Sequence, residues 1–199
     1  APFTKSNDLF IKVDDKEIRL TNDTIPEINA TASPDGKYIA FTKNNDLYTA
    51  EIATQKITRL TNDGSNVILN GYASWVYTEE ILGRVSHYRS FWWSPDSKKL
   101  AFFRTDDSPV APFTITDGPG VHGYLETERY PKVGDKNPEV KIGIIAPAGG
   151  PVVFADLNEK DDQYFGMPYW PKNDPSLWVQ WCNGKKNNLK KYSLQECRF

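Results

Sequence analysis

Glu79 and Glu80 are the residues whose type and placement suit chemistry best. They stand at the end of the aromatic, β-favouring run Tyr72-Ala73-Ser74-Trp75-Val76-Tyr77-Thr78. Adjacent acids repel. On a regular strand they point to opposite faces, and on a helix they sit about 100° apart, so they converge only where the backbone turns or bulges. Once converged, they form a compact dianionic pocket suited to an ammonium group. The competing reading leaves one glutamate in solvent and uses the other to cap a short helix before Ile81-Leu82.

Other candidates carry less. His87 and His122 are the two histidines, and both fall in segments that interrupt the strand pattern, so they read as loop residues rather than catalytic bases. No Gly-x-Ser-x-Gly nucleophile elbow occurs, and without a Ser-His-Asp constellation the chain by itself is not expected to cleave peptide bonds. Cys182 and Cys197 lack Cys-x-x-Cys or Cys/His ligand spacing, which argues against zinc. They read either as a disulfide of an exported protein or as a buried thiol at Cys182 with Cys197 unordered. Asp106-Asp107 and Asp161-Asp162 have no calcium-type ligand spacing around them and read as loop-capping acids. No metal or cofactor is implied.

The elements that must position the glutamates are strands. A charged fraction of 25% and a hydrophobic fraction of 39% describe a folded chain, and 6 Trp and 10 Tyr favour pleated, half-buried surfaces. The net charge of -2 and pI near 5.8 give no reason to expect nucleic acid or an anionic membrane as partner. No apolar run reaches the length of a membrane span, and no signal peptide is present. The chain begins mid-pattern at Ala1-Pro2, so removal of a targeting segment is expected.

Leu20-Thr21-Asn22-Asp23 recurs as Leu60-Thr61-Asn62-Asp63, an offset of 40 residues that fits the four-stranded blade of a propeller. Strands are expected at 28–32, 37–42, 46–52 and 55–60. The turn Ser33-Pro34-Asp35-Gly36 and its echo Ser94-Pro95-Asp96-Ser97 separate strands by the same chemistry. The expected fold is all-β, about three four-stranded antiparallel blades over roughly 20–63, 67–157 and 158–195. The middle blade carries two insertions, 75–88 with the glutamates and 105–138, and insertions on a repeat usually hang from the binding face.

Four segments in this frame resemble the N-terminal β-propeller of the dipeptidyl peptidase IV family, most closely its bacterial members. They are Trp75-Val76-Tyr77-Thr78-Glu79-Glu80, Phe91-Trp92-Trp93-Ser94-Pro95-Asp96-Ser97, the long run Arg129-Tyr130-Pro131-Lys132-Val133-Gly134-Asp135-Lys136-Asn137-Pro138-Glu139-Val140-Lys141, and Gln163-Tyr164-Phe165-Gly166 through Trp170. The resemblance spans roughly residues 18 to 192 and ends before Leu194-Gln195-Glu196-Cys197-Arg198-Phe199.

That resemblance implies part of an eight-bladed propeller, with the catalytic α/β-hydrolase domain absent from this stretch. It implies a serine exopeptidase that releases X-Pro or X-Ala dipeptides, with Glu79 and Glu80 binding the peptide's free α-ammonium. It further implies a periplasmic, cell-envelope or extracellular setting, and a homodimer is an expected state because an open array leaves strand edges uncovered. Thr78 departs from members with three consecutive acids. The substrate-holding arginine of some members has no matching position, and neither Arg84 nor Arg89 is assigned that role. The reading from another class is a non-enzymatic propeller interaction module of an envelope protein. A two-carboxylate glycosidase fits poorly, since such enzymes hold their acids about 5 to 10 Å apart across a bond.

Overall fold

The computed structural model describes residues 1–117, 123–172, 174, 176–184 and, as backbone, 189–194. Cys197 and His122 lie outside the described residues, so the disulfide reading does too. The described chain is a run of antiparallel sheets built from consecutive segments. β1 (Pro2–Lys5), β2 (Asp8–Val13) and β3 (Lys16–Arg19) form the first. β4 (Ile28–Ala32), β5 (Tyr38–Lys43), β6 (Asp46–Glu51) and β7 (Ile57–Arg59) form the second. The two-residue links Ser6-Asn7, Asp14-Asp15 and Asn44-Asn45 all take positive φ. Such a pair gives a tight hairpin whose twist matches its strands, and Asn and Asp tolerate it at low cost.

The 40-residue repeat closes a sheet. Thr21 Oγ1 accepts from the Leu9 N–H at 2.7 Å, and Thr61 Oγ1 from the Leu47 N–H at 3.0 Å. Arg19 pairs with buried Asp8 as Arg59 pairs with buried Asp46. The motif therefore fastens the last strand of a sheet to an inner one. The sheet over residues 2–19 stands ahead of the repeats read from the sequence.

The next sheet contains β8 (Ile68–Asn70), β9 (Phe91–Trp93), β10 (Leu100–Asp106), β13 (Glu139–Ile145) and β14 (Val153–Phe154). Between β10 and β13 the chain leaves as a separate hairpin of β11 (Pro112–Asp117) and β12 (Tyr124–Arg129), paired over six residues of each strand. The last sheet is β15 (Gln163–Phe165), β16 (Leu177–Asn183) and β17 (Leu189–Leu194). In both Ser-Pro-Asp turns the serine hydroxyl donates to the aspartate, Ser33 to Asp35 at 2.7 Å and Ser94 to Asp96 at 2.6 Å. The same hydroxyl accepts from the following strand at Tyr38 and Lys99.

The cores lie between successive sheets. Ile39 and Phe41 of β5 pack with Leu9 and Ile11 of β2, while Ala40, between them, joins Leu47, Phe91, Leu100 and Phe102 on the opposite side. Likewise Phe102 faces back along the chain, and Phe103 faces forward to Phe165, Leu177 and Val179. Consecutive residues of one strand feed different cores because side chains alternate with period two. These central strands are buried on both faces, so they read as continuous apolar runs.

Asp46 is the polar centre of the second sheet. Fully buried, it accepts from Arg59, from the Thr61 hydroxyl at 2.7 Å, from the Gly64 N–H at 3.1 Å and from Asn70 Nδ2 at 3.2 Å. Asp46→Ala leaves several of these donors without an acceptor and should cost about 2–4 kcal/mol of stability. Glu17→Ala, which breaks the exposed pair with Lys5, should cost about 0–1 kcal/mol. Urea denaturation of the two variants checks the order, and equal losses would contradict it.

Candidate functional site

The glutamates arise from a break in one strand. β8 pairs with the end of β10 at Arg104–Asp106, and β9 pairs with its beginning at Leu100–Phe102. Gly71 donates to Phe103 O at 2.9 Å, Phe103 donates to Ser90 O at 2.9 Å, and Ser90 donates to Gly71 O at 3.0 Å. The two half-strands thus form one edge of the sheet, with the insertion leaving and returning at a single point. Gly71 makes the exit with φ of 70°, a conformation costly for other residues. A stem follows, in which Tyr72 bridges Arg89, Ala73 donates to Tyr88 O at 2.7 Å, and the Tyr72 and Tyr88 rings stack 5.1 Å apart.

Above the stem the chain is helical from Trp75 and widens into a π-helical turn over Tyr77–Ile81, closed by Leu82 N–H donating to Tyr77 O at 2.7 Å. Ala73, Val76 and Tyr77 recur at helical spacing and, with Leu82, bury one side in the core shared by β10, β13 and β16. Such widened turns are rare and concentrate at functional sites. The short helix or tight turn expected within 75–88 is therefore this turn, and tertiary burial of one face outweighs the β propensity of its aromatics.

Two contacts fix this turn. The Tyr77 hydroxyl, wholly buried, accepts from the Phe165 N–H at 3.2 Å. Burial raises its titration well above the ordinary range, so the phenol stays neutral. Trp75 packs edge-on against Tyr130 at 4.5 Å, and Tyr130 lies 5.9 Å from Phe113 of the hairpin. The Tyr-Pro-Lys segment thereby braces the insertion, and its Asn137 donates to the Tyr164 hydroxyl at 2.7 Å on the next sheet.

The two carboxylates meet different surroundings. Glu79, with a side chain 17% exposed, accepts from Arg84 Nε, whose own side chain is 82% exposed. An exposed pair of this kind contributes about 0–1 kcal/mol. Glu80 is solvent-exposed and lines a groove of about 1050 Å³ together with Trp75, Tyr130, Asn137, Asp162 and Tyr164. On the same insertion His87 takes φ of 50°, and its N–H caps the 3-10 turn Arg84–Ser86 by donating to Arg84 O at 3.0 Å. Among the described residues no group of three or more His, Cys, Asp or Glu side chains is arranged to hold a metal.

Asp106 is a loop-capping acid, accepting from the Ser108 N–H at 2.8 Å. Its neighbour is not. Asp107 is 6% exposed and its Oδ1 has no partner. It sits at the root of the hairpin, where Arg129 donates to Val110 O at 2.6 Å and to Asp107 O at 3.3 Å. Burial raises its carboxyl to about 7, with Glu128 and then Asp106 adding to the rise and Arg129 opposing it.

Residues 16–197 match the family described as "Dipeptidyl peptidase IV (DPP IV) N-terminal region". The chain belongs to the dipeptidyl peptidase IV N-terminal region family. Its sheets are blades of that propeller, arranged here as an open series. Porphyromonas gingivalis dipeptidyl peptidase 4 superposes with a TM-score of 0.80 at 26% identity, over 94% of this chain and 26% of that one. A probable dipeptidyl-aminopeptidase B of Aspergillus clavatus is 33% identical over 177 residues, 81% of this chain and 19% of the relative. A counterpart from Chaetomium globosum is 33% identical over 153 residues, 69% of this chain and 16% of the relative. The chain thus spans about a fifth of these proteins.

Sequence reasoning singled out the glutamates as candidates but missed Arg84 as the partner of Glu79, and it missed the brace at Tyr77. The reversal at Gly83, with φ of 81°, brings Arg84 back against Glu79, and that glycine is the one local signal of it.

Asp107 generates a pH prediction for this dipeptidyl peptidase IV region. Its folded value of about 7 lies above the ordinary 3.8. Between those values the folded chain holds a proton that the unfolded chain releases, so this group's contribution to stability falls as pH rises, by up to about 1.4 kcal/mol per unit. Asp107→Asn should therefore gain stability relative to the native chain as pH rises from 4 to 7. Urea denaturation across that range measures the difference, and a flat difference would contradict the assignment.

Proposed function

We propose that this chain is the substrate-gating, N-terminus-recognising part of a dipeptidyl peptidase IV-like serine exopeptidase, whose parent releases X-Pro or X-Ala dipeptides. The observation that carries the reading is the Glu79-Glu80 pair, raised on a braced helical turn out of an interrupted strand and set within a family-matching propeller. Glu79 is partly buried against Arg84 and Glu80 lines the groove, and in the proposed bound state the two carboxylates give a peptide ammonium two charge-assisted acceptors. Two extended residues span roughly 7 Å. An anchor held at that distance from a nucleophile delivers the second peptide bond for cleavage.

The partners that follow are a peptide with a free N-terminus and a catalytic hydrolase domain supplying Ser, His and Asp. Family resemblance supports a periplasmic, cell-envelope or extracellular setting. A second copy of the chain is the partner we assign to the strand edges that an open series of blades leaves uncovered. Light scattering of the parent as a monomer would exclude that pairing.

In the parent, Glu79→Gln and Glu80→Gln keep volume and remove charge. Each should lower kcat/KM for a free-N-terminus Gly-Pro substrate by about 10- to 100-fold, the equivalent of a charge-assisted hydrogen bond, with an unchanged melting temperature. Native turnover in both variants would refute the anchor.

A further inference from the structure

Arg84 follows the glutamate turn after Leu82-Gly83, where Gly83 takes φ of 81° and folds the chain back. That reversal lays the guanidinium against Glu79, bonded through Nε. The partners differ in burial, 17% exposed for the carboxylate and 82% for the cation. The acid is therefore fixed in the wall while the cation lies over it from the solvent side. Screening by water makes such a contact easy to break.

Other acids act on the same neighbourhood. Glu126 and Glu128, two apart on β12, share one face of that strand, and both are exposed. Tyr88 senses the whole group. Burial raises its phenol first, then Glu128 and Glu79, with Arg84 opposing and Glu126 adding to the rise. Glu79, Arg84, Glu126 and Glu128 thus each act on this one phenol, and of the three acids Glu79 is the one in contact with Arg84.

We propose that Arg84 is a displaceable counter-ion of the ammonium anchor, and that it sets the threshold a peptide N-terminus must overcome to bind. Unoccupied, Glu79 holds the guanidinium. An arriving α-ammonium competes for the same carboxylate and releases the already exposed Arg84 into solvent. No bond is made or broken in this exchange, which swaps one ion pair for another. The inference rests on the ammonium-anchor reading, and Arg84 acts through Glu79 as a positioning and specificity residue.

The test is steady-state kinetics of the parent peptidase on a free-N-terminus Gly-Pro substrate. Arg84→Gln should lower KM by about 2- to 5-fold, the equivalent of an exposed ion pair, and leave kcat unchanged. Arg84→Lys, which keeps the charge, should restore the native KM, an outcome that a merely structural role would not produce. Glu79→Gln should raise KM, and adding Arg84→Gln to it should change nothing further. A KM unchanged or raised in Arg84→Gln, with Glu79→Gln still raising it, overturns the counter-ion and leaves the anchor standing. A native KM in Glu79→Gln overturns the anchor and the counter-ion together.

Discussion

The phenolic oxygen of Tyr77, fully buried, accepts from the Phe165 N–H at 3.2 Å, and that bond joins the insertion of one blade to the first strand of the next. Phe165 itself is buried in the core that receives Val76, Tyr77 and Leu82. Without an acceptor the Phe165 N–H would be left unsatisfied in a dry interface, a loss of about 1–3 kcal/mol. The position of Glu79 and Glu80 is therefore set by the packing of two sheets, and a loop tethered only at its ends would not hold it. Trp75 against Tyr130 adds a second brace from the Tyr-Pro-Lys segment. This explains why three motifs far apart in sequence belong to one feature in space.

Charge is used in two ways. Asp8 and Asp46 are buried, Asp8 accepting from Arg19 and the Asp23 N–H and Asp46 from Arg59 and the Thr61 hydroxyl, an arrangement that fastens sheets and leaves little free. Glu79 and Glu80 are held by the backbone of a buried turn, yet their carboxylates make few contacts. Glu79 has one exposed arginine and Glu80 faces a groove. A carboxylate held by many buried donors has no capacity left for a ligand. One held in place by its backbone keeps that capacity.

Much of the blade architecture was legible because its signals are local. The Ser-Pro-Asp turns, the Asn44-Asn45 reversal and the strands at 28–32 and 46–52 came from residue types that dictate backbone conformation, and they occur within a residue or two of those positions. The N-terminal sheet was not read, although Ser6-Asn7 and Asp14-Asp15 carry the same turn chemistry as Asn44-Asn45. The hairpin within 105–138 was hidden by the Pro, Gly and Asp content of the segment, although Phe113-Thr114-Ile115-Thr116 alternates as a strand should. A short helix or tight turn was expected within 75–88, and one stands at 77–81, but its packing partners were not read. Burial of Val76, Tyr77 and Leu82 against the next blade is a long-range effect that residue types do not signal.

The most direct test of the account is a chemical cycle on the parent peptidase, comparing a Gly-Pro substrate with its N-acetylated form. Acetylation removes the ammonium that we propose Glu79 and Glu80 bind and leaves the rest of the substrate unchanged. The account predicts that it lowers kcat/KM of the native protein by about 100-fold and has little further effect in the Glu79→Gln, Glu80→Gln double variant. The same acetylation penalty in both proteins would mean that the free N-terminus is recognised elsewhere.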